Sequence, residues 1–187
     1  MIPPVDRIRA IIGLGNPGAR FVFHRHNIGF RIVDRFVEQY NEAWHERDKL
    51  MYAEVRTTNA PQHNDCRLAD IVYGVKPLTY MNKSGEVLNF LQKKGIKPHE
   101  ILVAHDELER KFGNISIAFG GSARGHNGLR SIMDTIGQDF WRLRFGIGRP
   151  ENKEDVGDYV LSNFTIEEAS VLEESIQFAV QLLHGKF

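Results

Sequence analysis

Cysteine is almost absent from this chain of 187 residues, where Cys66 stands alone. One thiol excludes an internal disulfide and a multi-cysteine metal centre, and it suits a reducing compartment. Neither sign of charge dominates: 24 basic residues face 24 acidic ones, which speaks against a uniformly basic nucleic-acid binder. No apolar run approaches the roughly 18 residues of a membrane span. The N-terminus has no basic stretch leading into an apolar segment, so no secretory signal is read. Repeats, low-complexity tracts and dividing linkers are missing too. What remains, 42% hydrophobic and 26% charged, is the composition of a folded chain rather than a disordered one. A single domain over residues 1–187, located in the cytoplasm and away from any membrane, is the expectation.

The neutral average hides an asymmetry. Between Arg110 and Arg149 basic residues outnumber acidic ones, with Arg124, Arg142 and Arg144 among them, while from Glu151 onward acids prevail. A polyanion has a segment on which to dock. Two solvated faces of opposite sign would explain the charge equally well.

Strand and helix signals alternate along the chain. Apolar runs at Arg9–Leu14, Ile71–Val75, Ile101–Ala104 and Ile115–Phe119 read as strands, and Trp141–Ile147 as a strand with one polar face. Helical spacing links Ile28, Ile32, Val33, Phe36, Val37 and Tyr40. It recurs over Ser84–Lys94, over His126–Ile136, and from Ala169 to Leu183 behind a Thr165/Glu168 capping box. The alternation predicts an α/β fold: one twisted, mostly parallel or mixed β-sheet flanked by α-helices. Active sites in such sheets form beyond the carboxyl ends of strands, so the loops there matter most.

Those loops hold the unusual residues. Gly13–Gly18 reads G-L-G-N-P-G and matches a dinucleotide fingerprint literally. That fingerprint works when a helix begins within it. Here Asn16-Pro17-Gly18 is turn chemistry, and helical spacing starts only near Ile28. The following loop carries His24, Arg25, His26 and Asn27; two histidines alone do not make a metal site. A third strand stops at His105-Asp106-Glu107. An aspartate there can accept a hydrogen bond from a loop imidazole, fixing its tautomer and stabilising its protonated form, although Asp106 alone reads as a cap. Asn82 and Asn127 lie in further loops, where each can cap a helix or offer donor and acceptor to a substrate. Taken together, three asparagines, a histidine and an aspartate behind strands make a stronger case than any one of them.

These segments carry a resemblance. GLGNPG, RHNIGF (Arg25–Phe30), KPLTYMNKSG (Lys76–Gly85), ILVAHDEL (Ile101–Leu108), GGSARGHNGLRSI (Gly120–Ile132), RLRFGIGRP (Arg142–Pro150) and VGDYVLSNF (Val156–Phe164) occur in the order and spacing of bacterial-type peptidyl-tRNA hydrolases. The chain resembles that family over nearly its whole length. The resemblance implies a compact domain that hydrolyses the ester between a peptide and the 3′ ribose of tRNA, as a monomer with no cofactor and no metal. It implies His26 as general base and Asp106 as its partner. Asn16, Asn82 and Asn127 would place ester and water, with Met81 and Phe21 lining the site. Arg144 and Lys153 match positions that grip tRNA phosphates, and Arg124 is a candidate for the same task. Strand geometry puts Arg142 on the same face as Arg144, which suits phosphate recognition. Four departures from the family pattern stand out: Phe21 replaces a usual tyrosine, a usual threonine is missing near His24, Arg124 replaces a usual glycine, and Ala118 a usual basic residue. Cys66 sits in a polar stretch without a motif, and neither Ser84 nor Ser122 has a nucleophile-elbow context. The competing expectation is a non-catalytic RNA-binding relative acting in RNA processing.

Overall fold

The structure is a computed structural model that describes residues 8–57, 70–184 and 186–187. The reading of Cys66 as incidental falls outside those residues. Strand β1 (Ala10–Gly13) leads through a loop to helix α1 (Ile28–Gln39). A hairpin of β2 (His45–Arg47) and β3 (Leu50–Thr57) and then β4 (Asp70–Pro77) follow. A 3₁₀ segment, Met81–Val87, runs into α2 (Leu88–Lys93) and on to β5 (Ile101–Glu107). The rest comprises β6 (Ile115–Phe119), α3 (Asn127–Ile136), β7 (Trp141–Gly146), α4 (Val156–Val160) and α5 (Ile166–Gln181).

The seven strands form one sheet in the order β2-β3-β4-β1-β5-β7-β6. It is mixed: β1 runs parallel to β4 and β5, and β5 to β7, while the outer pairs are antiparallel. Period-two alternation divides the core between its faces. Ile11, Leu102, Ala104, Leu143 and Phe145 pack with α1 and α5. Ala10, Ile12, Ile101 and Val103 pack with α2 and α3. Helix α1 therefore leaves the carboxyl end of β1 over one face, while the chain beyond β4 runs through Met81 and α2 over the other. Connections that diverge from adjacent parallel strands leave a crevice, here beyond β1 and β4 and beside the end of β5.

Two glycines bring α1 close to that crevice. A Cβ on Gly13 would lie 2.4 Å from the Gly29 carbonyl oxygen, and one on Gly29 would lie 2.3 Å from that of Ala104. Gly13 at the end of β1 and Gly29 in α1 thus serve helix–strand contact. No helix long enough to present a dipole begins within Gly13–Gly18, so the dinucleotide context is missing.

Several elements differ from expectation. Strand β5 does not stop at Ala104: Asp106 and Glu107 stay in register with Phe145 and Gly146 of β7. The β2–β3 hairpin carries no sequence signal strong enough to find it, because β2 is wholly exposed and Met51 and Tyr52 interrupt alternation in β3. Ser84–Lys94 begins as a 3₁₀ turn, His126 caps α3 rather than joining it, and Ala169 is exposed although Leu172, Ile176, Ala179 and Leu183 are buried. Among the described residues no helix is long and apolar enough to cross a membrane.

Candidate active site

His26 lies in a short 3₁₀ turn, Arg25–Asn27, immediately before α1. Its Nδ1 stands 2.8 Å from Oδ1 of Asp106. The Asp106 side chain is almost fully buried, while 12% of the His26 side chain is open. Burial raises the Asp106 pKa, but the combined influence of His26 and His126 outweighs it and holds the carboxyl well below 3.8. Asp106 is then the acceptor, His26 donates through Nδ1–H, and Nε2 keeps its lone pair. For His26, burial opposes the proton, yet the Asp106 charge and hydrogen bond together raise its pKa above 6.5. This is the arrangement of an oriented general base.

A second imidazole, which the sequence reading did not single out, meets the same carboxylate. His126 Nε2 lies 3.0 Å from Asp106 Oδ1, and its Nδ1 accepts from the Gly128 and Leu129 amides at 3.1 and 3.3 Å. Accepting two amides requires a bare Nδ1, so the proton sits on Nε2 and points at Asp106. Ligand atoms of His26, Asp106 and His126 come within 4.8 Å of one another, close enough to suggest a cation. The two nitrogens facing Asp106 are donors, however, and a metal needs their lone pairs. As arranged, the cluster is a hydrogen-bond hub. Beneath it His105 is buried and donates from Nδ1 to the Asp106 carbonyl at 2.7 Å. Burial first, and then His126, push its pKa down to about 3, so it is neutral.

Asn16 and Asn27 hold each other. The Asn16 amide donates to Asn27 Oδ1, and Asn27 Nδ2 donates to the Asn16 carbonyl, both at 2.9 Å. Asn16 Oδ1 accepts the Met81 amide at 2.8 Å. That carbonyl oxygen is committed, so Asn16 can serve a substrate only through Nδ2. Met81 is buried against this brace, and Asn82, the next residue, is exposed.

The cleft around Asp106 is lined by His26, His126, Asn127, Glu107, Arg124, Arg142 and Arg144, with Val156, Gly157 and Val160 of α4 as a wall. It thus gathers His26, Asp106, Asn127, Arg124 and Arg144. Asn16, Phe21, Met81, Asn82 and Lys153 do not line it. Phe21 is half-buried, edge-on to His24 at 5.3 Å with Arg20 4.5 Å above its ring. Lys153 is exposed in the turn just before α4.

Arg142 corrects an expectation. It shares a sheet face with Arg144 but is 1% exposed. Its Nη1 donates to the Ser122 carbonyl at 2.6 Å, its Nη2 donates to that of Gly121, and its guanidinium lies 4.7 Å from the Phe140 ring. Arg142 pins the glycine loop from below and is no phosphate ligand. Within that loop Arg124 is exposed and takes a left-handed backbone, φ +45°. Such a conformation favours glycine, the residue that the resemblance leads one to expect there.

Known proteins resemble this chain over most of its length. The profile of the family described as "Peptidyl-tRNA hydrolase" matches residues 10–186. The peptidyl-tRNA hydrolase of Sulfurihydrogenibium sp. (strain YO3AOP1) is 44% identical over 92% of this chain and 87% of its own. That of Fervidobacterium nodosum is 41% identical over 92% and 86%. The crystal structure of peptidyl-tRNA hydrolase from Acinetobacter baumannii superposes with a TM-score of 0.82 at 37% identity, covering 94% of this chain and 86% of that one.

Proposed function

The chain belongs to the peptidyl-tRNA hydrolase family, and we propose that it performs that ester hydrolysis with His26 as general base. His26 Nε2 takes a proton from water as the water attacks the ester carbonyl, and later returns it to the 3′ ribose oxygen. Asp106 holds the tautomer and stabilises the imidazolium. Nδ2 of Asn16, Asn82 and Asn127 orient ester and water and donate to the developing oxyanion. Met81 and Phe21 offer the peptide an apolar wall. Arg124, Arg144 and Lys153 take tRNA phosphates. The observation that carries this reading is the 2.8 Å contact between His26 and the buried, ionised Asp106.

We propose further that one domain carries both grip and chemistry, as a cytoplasmic monomer with no metal or cofactor. The donor tautomers around Asp106 support the metal-free part. The test is hydrolysis of an N-blocked aminoacyl-tRNA, with and without a strong chelator, by wild type and a folded His26→Ala variant. Activity that survives chelation and collapses in the variant is expected. A fully active variant would remove His26 from the role, and tRNA binding without hydrolysis by wild type would favour a non-catalytic relative.

A further inference from the structure

Arg25, the residue before His26, is 3% exposed. Its guanidinium forks onto Glu168 near the start of α5, Nη1 to Oε1 at 2.9 Å and Nη2 to Oε2 at 2.6 Å. Nε donates to Ser162 Oγ at 3.3 Å, and the rings of Tyr159 and Phe164 lie 4.4 and 5.0 Å from the guanidinium carbon. The backbone joins in: the Arg25 amide donates to the Ser162 carbonyl at 2.9 Å, and His24 pairs with Asn163 in an antiparallel bridge. Glu168 Oε2 also accepts the Thr165 amide at 2.8 Å, and Tyr159 donates its hydroxyl to the Ile147 carbonyl just beyond β7 at 2.5 Å.

All three guanidinium nitrogens of Arg25 are thus engaged by Glu168 and Ser162, and at 3% exposure the side chain is shut off from a substrate. Stability alone is a poor reason for such a pair, since burying two charges costs several kcal/mol and apolar residues often pack as well. A bidentate fork does supply fixed geometry. We propose that Arg25 and Glu168 are positioning residues: their fork holds the Arg25–Asn27 turn so that His26 stays in register with Asp106. The contacts of the same guanidinium with Ser162 and Tyr159 tie the base to the segment that carries Lys153 and walls the cleft. This rests on the reading of His26 as the base.

The test uses Arg25→Lys, which cannot fork, Glu168→Gln, which keeps the volume, and the double variant. Each is assayed on N-blocked aminoacyl-tRNA and on a minimal peptidyl ester. A misplaced base lowers kcat on both substrates by about 10–100-fold, while KM for the tRNA stays near wild type. The double variant falls little further than the worse single one, because both remove one interaction. An NMR titration of the His26 ring supplies a readout that lost stability alone does not move. His26 is faced by Asp106 from β5, by the cap residue His126, and by His24 of its own loop; Asp106 is what favours its proton. A loosened turn lowers the His26 midpoint. Wild-type kcat and an unmoved midpoint in folded Arg25→Lys and Glu168→Gln would overturn the positioning role, even if both melt earlier. If His26→Ala is itself active, it is the reading of the base that fails.

Discussion

Nε2 of His126 stands 3.0 Å from Oδ1 of Asp106, the oxygen that also accepts the hydrogen bond from His26 Nδ1–H. His126 does two jobs at once, capping α3 with one nitrogen and loading Asp106 with the other. A second donor on one carboxylate oxygen draws charge from it and fixes its direction, so Asp106 is held toward His26.

The two jobs separate by substitution. Asparagine is a good N-cap but too short to reach Asp106, so His126→Asn keeps stability within about 1 kcal/mol of wild type. Its kcat falls about tenfold, the scale of one lost hydrogen bond of about 1.4 kcal/mol. His126→Ala loses a further 1 kcal/mol or so of stability with the cap. Urea melts and steady-state rates measured side by side decide it, and an unchanged rate in His126→Asn would remove the coupling.

Asp106→Asn acts on pH. Burial opposes the His26 proton, and Asp106 is what raises its pKa. Without that charge the burial penalty stands alone, so the acid limb of kcat/KM moves to lower pH while the plateau drops about 10²–10⁴-fold. Stability shifts too. The Asp106 pKa is depressed in the folded state, so its contribution is present above 3.8 and is lost as pH falls through the folded value. His26 has the opposite sign: its contribution is full below 6.5 and fades as pH rises through its raised folded value. Asp106→Asn therefore flattens the curve below 3.8, while His26, its proton now opposed by burial alone, adds a decline as pH falls below 6.5. A curve as steep below 3.8 as that of wild type would contradict this.

His105 is the acid liability of the site. It stays neutral when folded, down to about pH 3, but takes a proton near 6.5 when unfolded. Between those values the unfolded chain binds more protons, so stability falls as pH drops from about 6.5 toward 3. Replacing it with a residue that does not titrate, as in His105→Gln, removes that slope. Denaturant melts at pH 7 and pH 4.5 give the comparison: the gap between them narrows in His105→Gln, and an equal gap would mean that the slope arises elsewhere.

Much of this was legible beforehand. Apolar runs located β1, β5, β6 and β7, and the Thr165/Glu168 box marked the start of α5, because each rests on local pattern. Motif order pointed to His26 and Asp106, which the fold does bring together. What escaped needed tertiary partners. Asp106 and Glu107 look like a loop until β7 pairs with them. His126 reads as one polar residue in a glycine loop, although its place just before an apolar helical pattern was a signal for a cap. Arg25 betrays nothing of Glu168, which lies far along the chain. Arg142 followed strand alternation correctly, yet alternation assigns a face and cannot say whether that face meets water or a folded-over loop.

That last distinction gives the clearest contrast between neighbours on one strand. Burial above all, and then the nearby Arg144, lower the Arg142 pKa to about 10, still charged at neutral pH. Its charge is balanced by loop carbonyls, so Arg142→Ala releases Gly121 and Ser122 and costs about 1.5–3 kcal/mol, the range for hydrogen bonds to a charged group. Arg144 is half-buried and lines the cleft. Arg144→Ala leaves stability within about 0.5 kcal/mol of wild type. If Arg144 meets a phosphate, its loss raises KM for the tRNA substrate more than it slows a minimal ester. It also reduces the slope of log affinity against log salt by about one. Equal losses on both substrates, or an unchanged salt slope, would sink the phosphate role and leave Arg144 as a second support for the loop.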